Sequence, residues 1–275
     1  MKYHTMKTIR IITIVHMFLY IVYPSHGQSG DANKTKVSDE QLKVFNNVPD
    51  LPYIEANNNK SGEPFKIAIF GNSLSHHIIL PNIGWRHAAG MAASEIDKDY
   101  AHLLLWMTDS IMPEKHIIVR IKATAEFERN PLSFNFSELD HLVSFQPDLL
   151  IIQIGENVSF NENCTPEVFR EKYISLIRYL KQERHPTVIC TTSFFPSAAK
   201  NDVTKQVAMA TKSFLVDLSH LALSDDRNYA KNEENYPGDK SVWKVAGIGI
   251  HPGDFGMKNI AQQIFTVINA LYNQK

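Results

Sequence analysis

From Lys66 onward the chain alternates between two kinds of segment, and that alternation most narrows what it can fold into. Short runs rich in β-branched and apolar residues occur at 66-KIAIF-70, 117-IIVRI-121, 148-DLLIIQI-154, 187-TVICTTS-193 and 213-SFLVDL-218. Between them lie segments with helical spacing, at 85–107, 137–145, 166–182 and 203–211, and the chain closes with 254-DFGMKNIAQQIFTVINALY-272. Strands that alternate with helices predict a parallel sheet of about five strands covered on both faces, an α/β/α sandwich. About 210 residues, 65–275, suit one domain of this kind.

Helix punctuation agrees with the pattern. Thr165 is placed to cap a helix that opens on Pro166, whose missing N–H costs nothing there. Ser137 with Asp140 reads as a shortened capping box, and Asp254 is placed to cap the last helix.

The first 27 residues differ from the rest. A basic start (Lys2, Lys7, Arg10) precedes 11-IITIVHMFLYIVY-23 and the small residues Ser25 and Gly27, the layout of a secretory signal peptide. Its 13-residue apolar run falls short of the roughly 20 that span a bilayer as a helix, so no stable membrane insertion is expected. Residues 28–64, with 57-NNNKSGEP-64, read as an exposed N-terminal arm and linker. An exported protein is thus expected, and its compartment would permit Cys164 and Cys190 to pair, although Cys190 within an apolar run equally suits a buried thiol.

A net charge of −1 gives no electrostatic case for nucleic acid as a partner. The chain has no G-x-x-x-x-G-K-[ST] phosphate loop, and 247-GIGIHPG-253 has the wrong spacing for G-x-G-x-x-G, so no cofactor is implied. His76 and His77 have no further ligands at metal spacing and read as helix surface or pocket wall. Trp85, Arg86, Trp106, Tyr236 and Trp243 could line a sugar-stacking cleft, but most of them are expected to pack in the core or at its rim.

In an open parallel sheet, ligands bind beyond the carboxyl ends of the strands. Two strand-end loops, 71-GNSLSHH-77 and 155-GENVSFNEN-163, are joined there by 247-GIGIHPGD-254. Ser73 follows a strand directly, where a helix N-terminus behind it would favour a developing oxyanion. A serine needs a base, and His251, held by Pro252, is the candidate. Asn157 can donate its amide to the same oxyanion.

In this order, these residues resemble the SGNH hydrolases, also called GDSL esterases. Gly71-Asn72-Ser73-Leu74 resembles the first block with Asn72 in place of Asp, Gly155-Glu156-Asn157 the third with Val158 in place of Asp, and His251-Pro252 the fifth. The resemblance implies a flavodoxin-like sandwich and an esterase with Ser73 as nucleophile, His251 as base, and the Ser73 N–H and Asn157 side chain in the oxyanion hole. The implied substrate is an O-acetylated carbohydrate or another small ester; a lipase or lysophospholipase, or a carbohydrate-binding protein without activity, are the alternatives. The G-x-S-x-G elbow of α/β-hydrolases is absent, since Ser75 replaces its second Gly.

Two departures matter. No Gly lies between Met91 and Ile154 to supply the second block, which leaves a backbone N–H near Ala123 or Thr124 as donor. The family's Asp three residues before the His is Ile248 here. A main-chain carbonyl is the favoured orienter of His251, with Asp254, Glu156 and Glu126 as alternatives.

Overall fold

A computed structural model describes residues 53–80, 85, 87–182, 184–233, 240 and 247–273. The expected signal peptide, most of the N-terminal arm, and Arg86, Tyr236 and Trp243 lie outside that set.

Six strands form one sheet: β1 (Tyr53–Ala56), β2 (Phe65–Gly71), β3 (Ile117–Ala123), β4 (Leu149–Gln153), β5 (Thr187–Thr191) and β6 (Phe214–Val216), in spatial order β1-β3-β2-β4-β5-β6. β2 to β6 are mutually parallel, and β1 alone pairs antiparallel, with Tyr53 opposite Arg120 and Ala56 opposite Ile117. The continuous apolar runs of β2 and β4 follow from burial on both faces.

Successive side chains point to opposite faces and so feed two separate cores. Ile67, Ile69, Leu149 and Ile151 pack with α1 (Tyr100–Ile111) and α7 (Asp254–Tyr272). Ala68, Phe70, Leu150 and Ile152 pack with α3 (Asp140–Phe145), α4 (Pro166–Leu180) and α5 (Ala198–Thr211). Two single-turn helices complete the set among the described residues, α2 (Glu126–Arg129) after β3 and α6 (Leu221–Ser224) after β6. The α/β/α sandwich is therefore as expected.

Several local expectations change. Residues 53–56, within the stretch read as arm and linker, belong to the sheet as an edge strand. Of the helix expected over 85–107, only the part from Tyr100 forms, because Asp99 accepts from the His102 N–H as N-cap and Ala92 sits at φ 76°, outside helical space. The helix expected over 137–145 begins as a 3₁₀ turn, Phe136–Leu139, and its cap is Asn135, which accepts from the Ser137 N–H. Asp254 is the first residue of α7 and not its cap: its carboxylate accepts from the Ser94 N–H at 2.8 Å and the Ser94 hydroxyl at 2.6 Å. Thr165 caps α4 as expected. Cys164 and Cys190 are both buried free thiols.

Candidate functional site

β2 ends on Gly71 because nothing larger fits. A Cβ there would lie 1.9 Å from the Ser75 Oγ, and that hydroxyl is fixed by the Tyr100 hydroxyl at 2.6 Å and Gln153 at 3.2 Å. The chain then makes one turn rather than the expected helix. The Ser75 and His76 N–H groups donate to the Asn72 carbonyl, and the Leu74 N–H donates to the Asn72 side-chain oxygen. Ser73 stands at the head of this turn. The helix N-terminus expected behind Ser73 is therefore not formed.

His251 is brought to Ser73 from the far end of the chain. Its Nε2 lies 3.1 Å from the Ser73 Oγ, and its Nδ1 lies 2.6 Å from the Gly247 carbonyl oxygen. A carbonyl only accepts, so Nδ1 carries the proton and Nε2 presents its lone pair to the hydroxyl. Gly247 reaches this position at φ 97°, a conformation that favours glycine. Phe195 packs edge-on to the imidazole, and the His251 carbonyl accepts from the Ala230 N–H, so the ring is held on several sides. Burial pulls the His251 pKa down to about 4, against a smaller upward effect of the Gly247 carbonyl, so the ring is neutral at pH 7.

Ile248, where the family has its Asp, is fully buried with Trp85, Met91 and Ala230. A carboxylate there would be desolvated. The three alternative carboxylates are engaged elsewhere: Asp254 with Ser94 and Lys98, Glu156 with Asn72 and the Phe194 N–H, and Glu126 with Asn130.

The loop after β4 is organised by a residue that sequence reasoning missed. Glu128, on α2 and fully buried, accepts at Oε1 from the Gly155 N–H (2.6 Å) and the Asn157 N–H (3.0 Å). Its Oε2 accepts from the Asn157 amide (2.9 Å) and the Asn72 amide (3.1 Å). Asn72 also donates to Glu156 Oε2 at 2.7 Å, so its amide separates two buried carboxylates. This is a physical reason for Asn at a position where the family has Asp: one oxygen of a carboxylate could still accept from the Leu74 N–H, but the other would stand where the amide nitrogen now is and face two carboxylates. Gly155 takes φ 134°, which lets the chain turn into this loop.

Ser73, His251 and Asn157 line one cleft of about 160 Å³, with Thr124, His76 and Phe195 among its walls. His76 and His77 both line it, and burial lowers the pKa of each, that of His76 to about 4. Thr124 is excluded as the second-block backbone donor, since its N–H bonds to the Gly71 carbonyl at 2.8 Å. Trp85 is buried, not a stacking platform, and Trp106 is exposed on α1. Among the described residues no group of three or more His, Cys, Asp or Glu is arranged to hold a metal ion, and no helix is long and apolar enough to cross a membrane.

Comparison with solved structures finds similar proteins. A two-domain esterase active on acetylated mannans, co-crystallised with mannopentaose, aligns with TM-score 0.52 at 17% identity over 78% of this chain and 51% of its own. The lipase/acylhydrolase from Enterococcus faecalis aligns with TM-score 0.49 at 17% identity over 76% of this chain and 98% of its own. A family two carbohydrate esterase from Clostridium thermocellum, in complex with cellohexaose, aligns with TM-score 0.44 at 13% identity over 77% of this chain and 66% of its own. No protein-family model matches the sequence, and no curated protein matches it significantly. The chain has the SGNH hydrolase fold.

Proposed function

We propose that this protein is an exported serine esterase that removes short acyl groups, O-acetyl above all, from carbohydrate. The observation that carries the reading is the 3.1 Å approach of the Ser73 hydroxyl to the lone-pair nitrogen of His251. A hydroxyl and a neutral imidazole at that distance form an activated nucleophile.

In this reading the Ser73 Oγ attacks the ester carbonyl while His251 Nε2 takes its proton. The negative oxygen of the tetrahedral intermediate is held by the Ser73 N–H and the Asn157 amide, each such donor contributing on the order of 3 kcal/mol. Collapse breaks the bond to the sugar oxygen, which leaves with the proton from His251, and an acetyl-serine remains. Water attacks that ester with His251 again as base, releasing acetate and restoring Ser73.

The size of the cleft supports a short acyl group. At about 160 Å³ it is smaller than the roughly 300–1,000 Å³ typical of drug-sized ligand sites. The mannan esterase of the same fold acts on acetylated polysaccharide, which makes such polymers the first substrates to assay. The basic start and 13-residue apolar run support export.

The test is acetate release from a panel of acetylated polysaccharides and from an activated acetate ester. Turnover by wild type that falls at least a thousandfold in Ser73→Ala and His251→Ala supports the reading. No turnover of any acetate ester by folded wild type overturns it.

A further inference from the structure

Glu128 is buried, charged in chemistry, and plays no direct part in the mechanism above. Four N–H groups converge on its two oxygens, two on each, and three of the four belong to Gly155 and Asn157. With four donors on it, both oxygens accept; burial and the neighbouring Glu156 carboxylate raise the Glu128 pKa to about 7, so this ionised arrangement is the one populated above that pH, where the kinetics are compared.

One Asn157 Nδ2 proton is fixed on Glu128, and the side chain lines the same cleft as Ser73, so the second Nδ2 proton is the one available to a ligand. We propose that Glu128 is the positioning residue of the oxyanion site: its carboxylate fixes the 155–157 backbone and turns the Asn157 amide toward the ester oxygen above Ser73. This rests on the esterase reading.

The charge of Glu128 by itself would repel an oxyanion, so its benefit is orientation and not field. Two neighbours decide how that repulsion is met. Glu156 adds a second negative charge on the far side of Asn72, while Lys200, mostly buried, donates to the Glu156 carbonyl at 3.2 Å and interacts favourably with both carboxylates. Tyr173, on α4, also faces the pair and stays neutral because burial raises its pKa.

The experiment compares kcat and KM for an activated acetate ester in wild type, Glu128→Gln, Asn157→Ala and the double variant, with thermal unfolding as control. Gln keeps the shape but presents an NH₂ to two donors. The expected result is a kcat about 100-fold lower in Glu128→Gln with KM within threefold of wild type. The double variant should fall no more than about threefold below Asn157→Ala, since Glu128 acts through Asn157. A Glu128→Gln kcat within threefold of wild type overturns the proposal, as does a double variant that loses the product of the two single effects. If Glu128→Gln does not fold, Glu128→Asp decides: the retracted carboxylate should lower kcat about tenfold at unchanged KM, and wild-type kcat overturns the proposal. Wild type that neither turns over nor labels with a fluorophosphonate would instead remove the esterase reading, and this inference with it.

Discussion

The Nδ1 of His251 bonds to the Gly247 carbonyl at 2.6 Å, four residues before it in the chain. A neutral peptide dipole thus stands where Ser-His-Asp enzymes have an ionised carboxylate. It fixes the tautomer and ring plane but stabilises an imidazolium less than a charge does. In the proposed mechanism Ser73 and His251 work as a dyad.

Asp254 is the nearest carboxylate to His251 in sequence, so it provides the first prediction. It ties the N-terminus of α7 to Ser94 and Lys98. Asp254→Asn should keep kcat within about tenfold of wild type while losing roughly 1–2 kcal/mol of stability in denaturant unfolding. A kcat loss of several orders of magnitude in folded protein would contradict the dyad.

Stability should rise with pH between about 4.5 and 6.5. Burial lowers the pKa of His76, His77 and His251, so the unfolded chain takes up protons first as pH falls through 6.5, and their contribution is lost toward pH 4. Glu128 acts with the opposite sign. Its pKa is raised to about 7, chiefly by burial, so its contribution is present below 4.5 and is lost as pH rises through 7. Glu233, raised by burial and by Asp254, acts in the same direction as Glu128; three histidines outweigh these two carboxyls, and denaturation midpoints measured across this range should increase. His251→Gln should reduce the slope by about 1.4 kcal/mol per pH unit; an unchanged slope would show that His251 titrates normally.

Restoring the family's residue at position 72 should harm this chain. Asn72→Asp places a third carboxylate between Glu128 and Glu156, 3.1 and 2.7 Å from the present amide nitrogen. The cost at pH 8 should be on the order of 3 kcal/mol, shrinking at pH 5 where the new carboxyl is protonated. Unfolding at both pH values measures this, and wild-type stability at pH 8 would contradict the account of the network.

The parts of the fold legible in the sequence were those with local causes. Within β2 and β4 the stretches 67–70 and 149–152 are apolar throughout because both faces are buried, and the Ser73 and His251 loops follow from where strands end and α7 begins. β1 escaped because Tyr53–Ala56 is four residues long and is defined by pairing with β3, more than sixty residues away. The segment before Tyr100 has apolar spacing that suits a helix, yet its shape is set by long-range contacts: a Cβ on Gly90 would lie 2.5 Å from the Leu74 carbonyl oxygen. Glu128 was missed for the same reason, since its partners are 27 to 56 residues distant. The available signal was the loss of carboxylates at Asn72 and Val158, which asks for a charge from elsewhere, and 121-IKATAEFERN-130 carries two carboxylates, Glu126 and Glu128.

The central claim is that Ser73 is a nucleophile activated by His251. Treating the protein with a fluorophosphonate and measuring intact mass and the modified peptide tests it most directly. The account predicts one adduct on Ser73 in wild type, none in Ser73→Ala, and labelling slowed at least a hundredfold in His251→Ala. Folded wild type that stays unlabelled, or an adduct on another residue, would contradict it.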